Sequence, residues 1–173
     1  MNALFTEAEE ARYQELQSLA LDFARTGNTA ELGAMVRHGL PVNLADGKGN
    51  TLLLLASYHG HLETTAMLLA AKADPNRRND RGQTCLGGVA FKGYVAIAAL
   101  LLSHGAQIDS DNGAGMTPLM FAAMFGRTEM VRFLTEAGAS LQQRNRLGLS
   151  ARLLVSFSRL VGRFRAQPVR QGT

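Results

Sequence analysis

Residues 115–126 read GMTPLMFAAMFG, a short apolar helix opened by Thr117 and Pro118 and closed by Gly126. The Thr117 hydroxyl can accept a backbone N–H as an N-cap, and Pro118 suits the first helical position, where no N–H is needed. Gly126 supplies the left-handed conformation that ends a helix. So short a helix is marginal alone and needs neighbours to bury its face.

The neighbours are copies of the same unit. Thr51, Thr84 and Thr117 share a spacing of 33 residues, with Ser150 at the next step. Gly49, Gly82, Gly115 and Gly148 keep that period, as do Asp46, Asn79, Asn112 and Asn145. Gly27, Gly60, Gly93 and Gly126 form a fourth series, and Met35, Leu68, Leu101 and Leu134 an apolar fifth. Series in one register define an internal repeat. Within each unit the Asx residue and the Gly three positions later make a hairpin-like turn. Thr then caps a first helix, Gly turns the chain, and a second helix follows with apolar residues at i, i+3, i+4 and i+7. The spacing predicts helix pairs at 52–59 and 62–71, 85–92 and 95–103, and 118–125 and 128–137.

Composition agrees with a repeat protein. Hydrophobic residues make up 46%, mean hydropathy is −0.02, and 18 Gly suit many short elements and tight turns. No apolar run approaches the ~20 residues of a membrane span. The acidic start, MNALFTEAEEARYQEL, lacks the basic and apolar regions of a secretory signal and points to a cytoplasmic protein. A single Cys85 excludes an internal disulfide and a cysteine metal cluster. The net charge of +4 is local: Arg152, Arg159, Arg163, Arg165 and Arg170 lie in a tail without acids, leaving the body nearly neutral. That distribution argues against a nucleic-acid-binding core.

The segment GMTPLMFAAMFGRTEMVRFLTEAGA resembles the ankyrin repeat, whose pattern is G-x-TPLH-x-AA-x-x-G, a second helix and LL-x-x-GA. The resemblance covers about residues 18–150 and implies an all-α solenoid of antiparallel helix pairs joined by hairpin-like loops. Some positions depart from it. Leu54, Gly87 and Met120 stand where the family has His, so the resemblance implies that its usual inter-repeat hydrogen bonds are missing. Lys72 stands where Gly is expected, costing ~1 kcal/mol if its φ is positive. Gly87 and Gly88 inside a helix cost ~1 kcal/mol each relative to Ala, so Gly87→Ala is expected to stabilise the weakest repeat, provided that Gly87 has helical φ/ψ and room for a methyl.

The expected organisation is an N-terminal extra helix (1–17), a divergent capping repeat (18–45), and repeats at 46–78, 79–111 and 112–144. A divergent C-terminal capping helix (145–165) and a disordered tail (166–173) follow. Thr6 and Glu9 form a capping box at the first helix. In SARLLVSFSRLVGRFR, Leu153, Leu154, Phe157, Leu160, Val161 and Phe164 line one face and Arg152, Ser156, Arg159 and Arg163 the other. This helix either caps the last repeat or lies on an anionic membrane or nucleic acid. The Thr-register position of Ser150 favours the cap.

No catalytic, metal or cofactor constellation emerges. His59 and His61 lack a third ligand, and Asp109 and Asp111 fall on a turn. Cys85 has no general-base His at any repeat position, and GQTCLGG lacks the Lys-Ser/Thr of a phosphate loop. What remains is the concave face that the resemblance implies for partner binding. Tyr58, His59, Phe91, Lys92, Met124 and Phe125 sit just before the inter-helix glycines, while Lys48, Arg81 and Met116 lie on hairpin tips. Their apolar strip with a cationic rim suits another protein, bound by a monomer with no small-molecule substrate.

Overall fold

The computed structural model describes residues 6–157. Its helices are α1 (Glu7–Thr26), α2 (Thr29–Arg37), α3 (Leu52–His59), α4 (Leu62–Ala70), α5 (Cys85–Lys92), α6 (Val95–Ser103), α7 (Pro118–Met124) and α8 (Thr128–Glu136). Residues 151–157 form one more helical segment. The expected pairs are all present, and α4, α7 and α8 each stop one residue early. The architecture is all-α: among the described residues, β-pairing is limited to bridges at Ala45–Thr51 and Arg144–Ser150, across hairpin bases.

Each helix start follows from its sequence. The hydroxyls of Thr51, Thr84 and Thr117 accept from the amides of Leu54, Gly87 and Met120 at 3.1, 3.2 and 3.3 Å. Gly60 and Gly93 end their helices in the left-handed conformation, at φ 88° and 89°. Thr6 and Glu9 make the full capping box of α1, which runs unbroken across residue 17. The helices form two layers. First helices α1, α3, α5 and α7 pack side by side, and second helices α2, α4, α6 and α8 stack behind them. Leu32, Leu53, Leu68, Leu86, Leu101, Leu119, Met130 and Leu134 are fully buried between the layers. Burying each such side chain contributes about 1.5–3 kcal/mol, which no single pair of helices could secure alone.

Inter-repeat hydrogen bonds are present, carried by other residues than the family His. Asn43, Asn76 and Asp109, one period apart, accept from the amides of Asp74, Gln107 and Ser140 at 2.9, 2.8 and 3.0 Å. A second set crosses the inter-helix turns. His61 Nε2 donates to the Arg25 carbonyl at 2.7 Å, and Arg127 Nε donates to the Phe91 carbonyl at 2.8 Å. His61, Tyr94 and Arg127 lie over Gly27, Gly60 and Gly93, where a Cβ would meet them at 2.5, 3.1 and 3.1 Å. These turns therefore need glycine for space as well as for φ.

Three sequence expectations are corrected here. Asp46, Asn79 and Asn145 do form Asx turns, accepting from the amides two and four residues on. In the third hairpin that role passes to Asp111, which accepts from Gly113 and Gly115, both at 2.9 Å. Ala114 is forced to φ 55° there. Asn112, freed from the turn, points inward and is buried: its Oδ1 accepts from the Thr84 amide and hydroxyl, each at 2.8 Å. Its carboxamide occupies the space beside Gly87, so a methyl at 87 would overlap it. Gly87 is thus a fitted residue, and the room for a methyl on which a stabilising Gly87→Ala depends is absent. The final helix also departs from expectation. It buries Ala151 and Val155 against the last repeat while Leu153 and Phe157 stay exposed. Its expected continuation to 165 and the tail at 166–173 lie outside the described residues.

Lys72 adopts φ 69° where Gly39, Gly105 and Gly138 adopt 100°, 85° and 93°. The strain expected of a side chain at that position is present.

Candidate protein-recognition face

Tyr58, Phe91 and Phe125 come from the C-terminal ends of α3, α5 and the α7 cap. Tyr58 and Phe91 are one repeat apart, and Phe125 follows Met124, the next residue of that column, so stacking the repeats brings the three rings together. The Tyr58 and Phe91 rings stack with centroids 6.5 Å apart, and Phe91 meets Phe125 edge-on at 4.4 Å. Lys92 Nζ stands 4.6 Å from the Tyr58 ring centroid, a cation–π contact. The ladder ends in open surface, with Met124 54% and Phe125 44% exposed. The rings pack on one another and are not members of the buried core.

Of the remaining candidates, His59 contacts this ladder, and Lys48, Arg81 and Met116 lie on the hairpins. His59 sets its ring edge-on to Tyr58 at 5.7 Å and stacks with His61 at 6.4 Å. Burial, with help from the neighbouring charges of His61, Lys92 and Arg25, holds the His59 pKa below its ordinary value. Lys48 and Arg81 stand exposed on hairpin tips. Like Lys92, they have no ion-pair partner among the described residues. Met116 is half-buried, and its Sδ accepts from Asn145 at 3.4 Å, which ties it to the next hairpin.

Carboxylates on the same side are largely occupied. Asp46 accepts from Lys48, Asn50 and Arg25. Burial alone would raise its pKa, but the hydrogen bonds from Asn50 and Lys48 and the Arg25 charge hold it below the usual range. Asp111 is spent on its own turn, and Asp80 is exposed beside Arg81. Cys85 is buried, and desolvation pushes its thiol up to about 12, so it is no nucleophile at neutral pH.

The ladder borders a cleft of about 200 Å³ lined by Tyr58, Gln83, Gly87, Gly88, Phe91, Asn112, Phe121, Met124 and Phe125. Sequence reasoning missed Gly87, Gly88, Asn112 and Phe121 as site residues. The signal lay in the columns of the repeat: the positions held by Leu54–Leu55 and Met120–Phe121 read Gly87–Gly88 in the middle unit.

A family model for ankyrin repeats in three copies matches residues 53–145, more than half of the chain. The chain belongs to the ankyrin-repeat family. A Pseudomonas aeruginosa protein described as an ankyrin repeat protein is 46% identical over 54 residues, covering 31% of this chain and 32% of its own length. The human oxysterol-binding protein-related protein 1 is 36% identical over 81 residues, covering 46% of this chain and 8% of that protein. The rat protein of the same name is 38% identical over 73 residues. The chain therefore spans about a third of the bacterial relative and less than a tenth of the mammalian ones. Ankyrin repeats are generally protein–protein interaction modules, without catalytic activity of their own.

Proposed function

We propose that this chain is a non-catalytic recognition module, an adapter, inhibitor or immunity-type binder, that engages a protein partner through its concave face. The observation that carries the reading is the Tyr58–Phe91–Phe125 ladder, apolar and partly exposed, with Lys92 over the Tyr58 ring and Lys48 and Arg81 exposed on hairpin tips. Exposed aromatic rings in contact with one another supply large area at low conformational cost, the signature of binding hot spots. The unpaired bases suit carboxylates at the partner's rim and would set association rate more than affinity. The buried Ala151 and Val155 support a capping role for the last helix over a membrane or nucleic-acid role.

A display selection of protein binders on the folded chain tests this. Binders should be lost on Met124→Ala/Phe125→Ala and retained on a variant changed on the outer surface of α4 and α6. Binders that survive the double change and map to the second-helix layer would overturn the reading.

A further inference from the structure

The cleft beside the aromatic ladder is the absence of one side chain. Position 88 shares its column with Leu55 and Phe121, so the row reads Leu55–Gly88–Phe121 and lacks its middle member. Leu55 is 7% exposed, and Phe121 lines the cleft. The adjoining gap at Gly87 is filled from inside by the Asn112 carboxamide. The gap at Gly88 is only narrowed, by Tyr58 Cδ2 at 3.1 Å from where a Cβ would stand. About 200 Å³ remains open, room for one leucine- or phenylalanine-sized side chain.

We propose that a partner supplies the missing side chain: the Gly88 cleft is an anchor pocket for one large apolar residue on an extended segment of an acidic protein. This rests on the recognition reading above and goes further, because it fixes what the partner must present. Tyr58, Phe91, Met124 and Phe125 wall the pocket with apolar surface. Gln83 stands at its rim. Its Oε1 accepts from Asn79 at 3.0 Å, while its Nε2 has no partner among the described residues and can donate to a peptide carbonyl. Lys92, held over the Tyr58 wall without an ion pair, places a positive charge one side chain away from the pocket. A carboxylate next to the anchoring residue would meet it. Asp46 and Asp111 are engaged by their own turns, and neither forms an ion pair with Lys92.

The test is an amide chemical-shift titration of the labelled full chain with two acetylated acidic pentapeptides, EDFDE and EDADE. The phenylalanine peptide should shift the amides of Gly87, Gly88 and Phe125 and bind about fivefold or more tightly than the alanine peptide, the modest gain expected of a half-open apolar pocket. Gly88→Leu completes the row from within and should erase the difference between the peptides. Lys92→Ala should weaken both alike. Melting temperature and spectral dispersion verify folding of Gly88→Leu. If it does not fold, Gly88→Ala takes its place and should reduce the difference. Equal binding of both peptides on this face would overturn the anchor pocket while leaving face-wide recognition intact. Shifts confined to other regions, or none at millimolar peptide, would overturn the pocket too, and the display selection then decides the broader reading by itself.

Discussion

The carboxamide of Asn112 fills the space that a side chain at Gly87 would occupy, so a residue of one hairpin completes the first helix of the repeat before it. The pair should therefore behave as a unit. Gly87→Ala should destabilise by about 1–3 kcal/mol through overpacking, and Asn112→Ala by a similar amount through the unpaired Thr84 amide. The double variant should cost less than the two together, because the methyl then has room. Chemical denaturation of the three variants measures the coupling; strict additivity would sink the account.

Lys72 offers the opposite case. Its φ of 69° is strained for any residue with a Cβ, and the equivalent positions are Gly39, Gly105 and Gly138. Lys72→Gly should raise stability by about 0.5–1 kcal/mol, less whatever the extra freedom of the unfolded chain takes back. Thermal melts at constant pH check this.

Cys85 should be silent in the folded protein. Burial raises its thiol to about 12, so a thiol-reactive dye at pH 8 should label it only at the rate of opening of the repeat. Labelling should accelerate in parallel with urea-induced unfolding. Rapid modification under native conditions would contradict the burial.

Truncating the ladder should separate affinity from stability. Phe125→Ala removes a ring that is 44% exposed and outside the core, so the melting temperature should move by only a few degrees. Binding to a selected partner should fall by about 2 kcal/mol or more. Phe91→Ala should cost somewhat more stability, since that ring contacts Phe125 on one side and Tyr58 on the other. Isothermal titration beside calorimetric unfolding distinguishes the two effects.

The pH dependence follows from His59. Its folded pKa lies below its ordinary 6.5, so at intermediate pH the unfolded chain binds the proton more readily. The sign is that of a depressed base: its contribution favours the fold above pH 6.5 and is lost as pH falls from there through the folded value. His59→Asn should flatten that part of the stability profile. Binding of an acidic partner should move the other way, tightening as His59 gains charge beside Lys92.

Most of the fold was legible because the repeat writes it several times over. Thr caps, glycine turns and the apolar column recur, so errors at any single position average out, and helix ends fall within one residue of expectation. Part of the ladder was legible for the same reason: Tyr58 and Phe91 share a column with Met124, and Phe125 stands one residue beyond it. What the period hid was the exception. Asn112 keeps the register of Asp46, Asn79 and Asn145, yet the neighbouring Asp111 outcompetes it for the turn amides. A choice between adjacent acceptors depends on local backbone geometry, which residue identity does not encode. Gly87 and Gly88 were readable as poor helix formers, but the space they leave can be judged only with the next repeat in place.

The contacts of His61, Tyr94 and Arg127 with Gly27, Gly60 and Gly93 all run in one direction along the chain. Each of these three turns is closed by the repeat that follows it, whereas a Cβ at Gly126 would meet nothing within 4 Å. Loss of a C-terminal unit therefore strips its predecessor, baring a glycine turn and, at Phe91 or Arg25, a carbonyl that had a partner. Loss of an N-terminal unit frees a His, Tyr or Arg side chain and bares the Asp74, Gln107 or Ser140 amide that had donated to Asn43, Asn76 or Asp109. The inter-helix turns are thus closed from the C-terminal side, while the hairpin amides of Asp74, Gln107 and Ser140 are held from the N-terminal side, so each repeat is clamped by both of its neighbours.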